Sequence, residues 1–561
     1  MASVSLSIKA NNLLVLATTL LLITSSLIYG DTSNESCPSV SHINSNSGNC
    51  NPKIYGDDPK RIVCVCNAQS CPPIGEVIEV KDGQVAVYES NQDGARFVAT
   101  ILNQSVSSNE VEIVHRESCG EVTVNSLEIV INTRKTYRKI IGFGGAFTDS
   151  TGINALSLKQ EVGGNIIRDY FDKSGLNYTI GRVPIGGSDF STRPYSYDDD
   201  HPGDLNLTYF ALTEEDHKFK IPFLKKALEF KPNLKIFGSA WAPPGWMKTS
   251  GEIATKGSLK GHVGGEYYQT WADYHVKFLD AYRKQGIEFW ALTTGNEPIH
   301  GLLFSYFNNL AFSPGQSNDF VKKNLGPTLE RTGYWPKVKI IMLDDQLLLA
   351  PVWVPKLLGD PETAKYISGI GYHWYSNNFV ARLGQDWLLK SYPDYFWLST
   401  EACEGYRLAM DPEKVILGSW KRAESYASDI IKDLNHQTSG WVDWNMALDL
   451  TGGPNWAGNK VDSPIIVNST ANEYYRQPMY YALAHFTKFL PPDSVRVDAG
   501  GSHNGIEHTA FLTPDEKIVL IVMNSNEFPV KLNILGDLKF GVKLIASPRS
   551  IQTIVTKRVL R

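Results

Sequence analysis

Beyond residue 30 the chain has no apolar run long enough to span a bilayer, so no second membrane segment is expected. It has no excess of positive charge either. Its 54 Lys and Arg stand against 59 Asp and Glu, a formal net charge of −5, so no broad basic face is offered to nucleic acid. Cysteine is scarce over most of the length. Only Cys119 and Cys403 fall outside the stretch Cys37 to Cys71. No low-complexity linker separates the ends from the middle. What remains is ordinary globular composition, 42% hydrophobic and 20% charged, which can bury a sizeable core.

The first residues read as an export signal. A short polar start carrying Lys9 precedes the apolar run Leu13 to Ile28, with cleavage expected near Gly30. An uncleaved anchor is the alternative, although the run is slightly short for a full span. Five Asn-x-Ser/Thr sequons agree with a secretory route: Asn34, Asn103, Asn177, Asn206 and Asn468. Asn177 opens an apolar strand, where access is expected to be poor. The crowded Cys50, Cys64, Cys66 and Cys71 read as a small disulfide-stapled segment. A zinc site competes, but the Cys-x-Cys spacing and the absence of nearby His oppose it. Cys37 and Cys119 are candidates to pair with each other. Cys403, after an apolar run, is expected to be a buried free thiol.

Both ends are strand-like. Val85 to Tyr88, 111–114 and Leu127 to Ile131 carry β-branched residues with partial alternation, as do Ile518 to Met523 and Ser550 to Val555. They are expected to pack as one β-sandwich. The middle alternates strands with helices. Strands are expected at 140–147, 178–184, 234–240, 289–294, 338–343, 368–374, 396–400 and 441–444. Helical spacing appears in Trp271, Tyr274, Phe278 and Tyr282, and again in Ile221, Leu224 and Leu228. Eight such units predict an α/β chain with a (β/α)8 barrel, whose site should lie at the carboxyl ends of the strands.

Those ends carry the chemistry. Glu297 closes the run Phe289-Trp-Ala-Leu-Thr-Thr-Gly-Asn-Glu-Pro298, and Glu401 closes Tyr395-Phe-Trp-Leu-Ser-Thr-Glu401. A carboxylate where a buried strand stops should face a crevice. Two of them facing across one mouth supply what glycosidic bond cleavage needs, an acid for the leaving oxygen and a carboxylate for the sugar carbon. Asp149, Arg182, Asp189, Trp241, Asn296, Asp344, Asp345, Gln346, His373, Tyr375, Trp444 and Asn445 line up at the other strand ends. They are acids, donors and aromatic platforms suited to a sugar.

On these residues the chain resembles glycoside hydrolase family 30, in its branch of acid β-glucosidases. The likeness runs from Cys50 to the C-terminus. It is carried by Gly142-Phe-Gly-Gly-Ala-Phe-Thr-Asp149, Arg182-Val-Pro184, Lys256-Gly-Ser-Leu-Lys260, Tyr268-Gln-Thr-Trp271 and Leu343-Asp-Asp-Gln346. It continues in His373-Trp-Tyr375, Leu417-Gly-Ser-Trp420, Gly452-Gly-Pro-Asn-Trp456 and Val461-Asp-Ser-Pro-Ile-Ile-Val467. The resemblance implies Glu297 as acid/base, Glu401 as nucleophile and Asn296 as donor to the sugar 2-hydroxyl. It implies Asp189, Trp241 and Trp444 around the glucose, with Asn459, Tyr306, Phe307, His373 and Tyr375 at pocket and rim. Arg182 is implied as a support that orients a carboxylate, and the disulfides as 50–64 and 66–71.

The same resemblance adds a small β domain, residues 37–75 with 445–478, beside a sandwich of 80–134 with 494–561 and a barrel of 138–444 with 479–493. It implies hydrolysis of glucosylceramide in the lysosome lumen, with an anionic membrane surface and a saposin-like activator as partners and no cofactor. The alternatives are a secreted protein with another family 30 activity, such as β-xylosidase or β-glucanase, and an inactive glycolipid-binding protein. Lys460 and a loop one residue shorter before Tyr306 depart from the family pattern.

Overall fold

The computed structural model describes residues 49–103, 110–112, 125–303, 306–406 and 413–558. The expected signal segment, Asn34, Cys37 and Cys119 lie outside the described residues.

Eight parallel strands close a barrel: Gly142–Ala146, Ile180–Ile185, Lys235–Ala240, Ala291–Thr293, Lys339–Gln346, Ile367–His373, Phe396–Glu401 and Gly440–Asn445. Each falls on one of the eight expected runs. The strands are buried because apolar side chains fill the interior; Ile180, Phe237, Ala291, Ile341, Leu398 and Val442 form a layer inside it. The glycines of the first strand allow tight neighbours. A Cβ on Gly144 would stand 2.1 Å from the carbonyl oxygen of Ile180 on strand two. Outside, helix Glu266–Lys284 turns Trp271, Tyr274, Phe278 and Tyr282 into the core. Helix Ile221–Phe230 buries Ile221 and Leu224, with Leu228 half-buried.

Two strands differ from expectation in ways that matter. Strand four is only three residues long, so the chain leaves it early and spends 294–298 on a turn. Strand five runs on through Gln346, with a register shift between Leu343 and Asp345 against strand six. Leu343 and Asp344 there have φ of 74° and 50°. The bulge separates two adjacent acids, sending Asp344 and Asp345 to different partners.

A ten-stranded sheet unites both ends of the chain, from Val98–Asn103 at one edge to Glu110–Glu112 at the other. Its halves share a core that includes Val85, Ile129, Leu520, Leu532, Val542 and Ile554. The alternate residues Val519, Ile521 and Met523 belong instead to the large core that contains the barrel helices. This is why Ile518 to Met523 is apolar at every position; both of its faces are covered. A five-stranded sheet joins Pro52–Ile54 and Ile62–Cys66 to Glu473–Arg476, Ile465–Asn468 and Ala447–Asp449. Cys50 is bonded to Cys64 and Cys66 to Cys71. Arg476 fixes this sheet to the barrel helix Gln160–Phe171, donating to Asp169 at 2.6 and 2.8 Å and to the Pro72 carbonyl at 2.7 Å. Among the sequons, Asn103 and Asn206 are exposed. Asn177 is half-buried, accepts from Lys231 and has a φ of 60°, while Asn468 donates to the Tyr475 hydroxyl at 2.9 Å.

Candidate active site

Glu297 lies in the turn after strand four, held with φ at 43°, a conformation costly for a residue with a Cβ. Its N–H donates to the Asp344 carbonyl at 2.9 Å, which ties the turn to the bulge of strand five. Its Oε1 accepts from Gln346 Nε2 at 2.8 Å and from His373 Nδ1 at 2.9 Å. Glu401, the last residue of strand seven, accepts from the Tyr375 hydroxyl at 2.8 Å and from Arg182. One carboxylate oxygen from each glutamate and a ring nitrogen of His373 all lie within 4.8 Å of one another.

Beneath the pair is a closed charge network. Arg182, wholly buried, also donates to Asn296 Oδ1 at 2.7 Å and Asp344 Oδ2 at 3.1 Å. Asp344 further accepts from Ser239 at 2.5 Å, Thr400 at 2.7 Å and His373 Nε2 at 3.1 Å. Burial works against ionising Asp344, but Arg182 and His373 outweigh it and hold its carboxyl far below the usual range. Burial likewise opposes the His373 imidazolium, yet the Glu401 charge and the bonds to Asp344 and Glu297 raise it to about 10. Glu297 is half-buried, and His373 overcomes the cost of that burial to hold its carboxyl below normal.

The cavity above the pair holds about 220 Å³. It is smaller than the roughly 300–1,000 Å³ of a drug-sized site. Trp241 and Trp444, stacked at 5.1 Å, form one wall, with Asn296 beside them. Asp189 and Asn459 form another, with Asn459 Nδ2 donating to Asp189 at 3.2 Å. Burial first, and then the Glu401 charge, raises the Asp189 carboxyl to about 7. Tyr306 stands on the rim, 49% exposed, edge-on to buried Phe307.

His373 is fully buried under Glu297 rather than in the wall. Lys460 also leaves the wall, donating to Thr451 at 2.8 Å. Sequence reasoning did not single out Phe190, His300, Tyr406 and Val461, which line the cavity, nor Cys403 as part of it. Gln346 and Asp344 were visible only as polar residues closing strand five.

Glu297, His373 and Glu401 are the one cluster with metal-ligand spacing among the described residues. Each ring nitrogen of His373 already faces a carboxylate, Nδ1 against Glu297 at 2.9 Å and Nε2 against Asp344 at 3.1 Å.

A closed parallel barrel with two carboxylates this close at the carboxyl ends of strands four and seven defines a glycoside hydrolase. The chain belongs to glycosyl hydrolase family 30: the family's TIM-barrel domain matches residues 140–490 and its beta sandwich domain residues 493–554. It is 40% identical to the lysosomal acid glucosylceramidase of Mus musculus over 516 residues, 91% of this chain and 96% of the mouse protein. An endo-1,6-beta-D-glucanase of Neurospora crassa is 27% identical over 420 residues, 72% of this chain and 82% of the fungal protein. The crystal structure of SrfJ from Salmonella typhimurium superposes with a TM-score of 0.74 at 25% identity, covering 85% of this chain and all of SrfJ.

Proposed function

We propose that the protein is a retaining β-glucosidase that hydrolyses glucosylceramide to glucose and ceramide in sphingolipid breakdown. The observation that carries this is the spacing of Glu297 and Glu401, with oxygens within 4.8 Å. Retaining enzymes hold their carboxyl groups about 5–5.5 Å apart, whereas inverting ones leave about 6.5–9.5 Å for a water. Glu401 attacks the anomeric carbon, and its charge is steadied by Arg182 and Tyr375. Glu297 gives its proton to the ceramide oxygen and then, as a base, activates the water that releases glucose. Once Glu401 is glycosylated, His373 favours the charged, basic form of Glu297. Asn296, its carbonyl taken by Arg182, turns its amide N–H groups to the sugar 2-hydroxyl. Asp189 and Asn459 hold further hydroxyls, and Trp241 and Trp444 take the sugar face.

The mouse relative supports glucosylceramide as substrate and the lysosome lumen as location. No helix among the described residues is long and apolar enough to cross a membrane. In this reading the protein meets its lipid at an anionic membrane surface, with a saposin-like activator. Helix Phe379–Ser391, following the pocket residue Tyr375, carries exposed Phe379, Val380, Leu383 and Trp387 suited to that contact. Turnover of glucosylceramide beside an aryl β-xyloside and a β-1,6-glucan tests the reading. Preference for either of the latter two would reject it in favour of another family 30 activity.

A further inference from the structure

Asp345 sits next to the network just described but outside it. It is fully buried, and no cation among the described residues is hydrogen-bonded to it. Its Oδ2 accepts the Ile299 N–H at 3.0 Å, two residues past Glu297. Its Oδ1 accepts the Gln346 N–H at 2.7 Å, and the Gln346 side chain reaches Glu297 at 2.8 Å. One carboxylate thus grips both the turn that carries Glu297 and the residue that hydrogen-bonds it. We propose that Asp345 is a positioning residue for Glu297, holding both the turn that carries it and the Gln346 amide that hydrogen-bonds it. This rests on the acid/base role proposed for Glu297.

Asp345 resolves a difficulty in that role. Glu297 by itself, against the His373 imidazolium, favours its charged form and would be a poor acid. Burial first, and then the Glu297 charge, raises the Asp345 carboxyl to about 7. Like charges repel, so a charged Asp345 in turn favours the protonated form of Glu297. Two backbone N–H groups point at Asp345, which favours charge there. That repulsion opposes the pull of His373, towards the acid form that the aglycone oxygen needs. His300 from the same turn, Arg182 from strand two and Glu401 from strand seven also face Glu297, as do Asp189, Tyr306 and Tyr375. Of these groups, His373 also acts on Asp345.

Asp345→Asn keeps the side-chain volume and removes the carboxylate charge. The kcat/KM of the variant should be measured against pH with aryl β-glucosides of poor and good leaving groups. With the poor leaving group, the basic limb should move at least about one pH unit lower, a tenfold loss at a fixed pH above the new limb. The good leaving group, which needs little acid, should be spared. Gln346→Ala removes a donor to the Glu297 carboxylate and should move the limb the other way. Equal losses on both substrates with an unmoved limb would make Asp345 merely structural and overturn the proposal. If Glu297→Ala itself lacks leaving-group dependence, the acid/base reading fails first. Should Asp345→Asn not fold, infrared titration of carboxyl groups in wild type against Glu297→Gln reads the same repulsion. The buried acid should ionise at lower pH in the variant, and an unchanged titration would overturn the proposal.

Discussion

Replacing each glutamate by glycine separates their roles by the stereochemistry of rescue. In Glu297→Gly, the donors Gln346 Nε2 and His373 Nδ1 lose their acceptor. Leaving two buried donors unmet would cost about 1–3 kcal/mol each. Water can enter the open cavity, so the lower end applies. The new glycine also accepts the φ of 43° freely, returning about 1 kcal/mol. The variant should therefore fold, about 1–2 kcal/mol less stable. Its activity on a lipid with a poor leaving group should fall by about 10²–10⁴, the contribution of acid/base help, or about 3–5 kcal/mol of barrier. With an activated aryl glucoside, the glucosyl intermediate on Glu401 still forms, and azide entering the vacated space should give the β-glucosyl azide. In Glu401→Gly no intermediate forms, and azide should attack from the opposite face to give the α-glucosyl azide. Proton NMR of the products decides. Swapped anomers would reverse the two roles, an inverted sugar from the wild type would end the retaining mechanism, and little loss from either change would leave both glutamates as bystanders.

Stability should peak in mild acid. Folding raises His373 from 6.5 to about 10 and Asp189 from 3.8 to about 7. Burial, helped by the Asp429 charge, raises Asp433 to about 8. All three bind protons more tightly folded than unfolded, so their stabilisation is full below the unfolded values and is lost as pH rises through the folded ones. Thermal melts should show a higher Tm at pH 5 than at pH 8, and the reverse order would contradict this. Alkylation before and after unfolding should label only Cys403 of the five cysteines among the described residues, and only after unfolding, since burial pushes its thiol up. Reduction of the Cys50–Cys64 link should cost about 3 kcal/mol by removing its constraint on the unfolded chain. On anionic vesicles carrying glucosylceramide, Trp387→Ser with Phe379→Ser should lose at least tenfold in turnover, from about 1.5–3 kcal/mol of apolar burial per side chain. A soluble aryl glucoside should be unaffected, and equal loss on both would remove the helix from membrane contact.

The barrel was legible because each of its strands is a local event. A short apolar run ending in a polar residue states both that the strand is buried and where it stops, and Glu297 and Glu401 end two such runs. The disulfide-bearing segment declared itself by crowding of cysteines. Other features needed the tertiary structure. Nothing near Arg182 in the sequence says that its guanidinium meets Glu401, Asn296 and Asp344, which lie 114 to 219 residues away. Nor does the pattern of Leu343-Asp-Asp-Gln346 reveal a bulge, because one extra residue changes where every following side chain points without altering composition. That bulge sends Asp344 down to Arg182 and His373, and Asp345 across to the turn of Glu297. The sheet that joins residues 52–66 to 447–476 is equally non-local, since strand pairing is chosen by complementary faces that only the folded chain brings together. Burial is written residue by residue along the chain; the partners of a buried charge are settled only when the barrel closes.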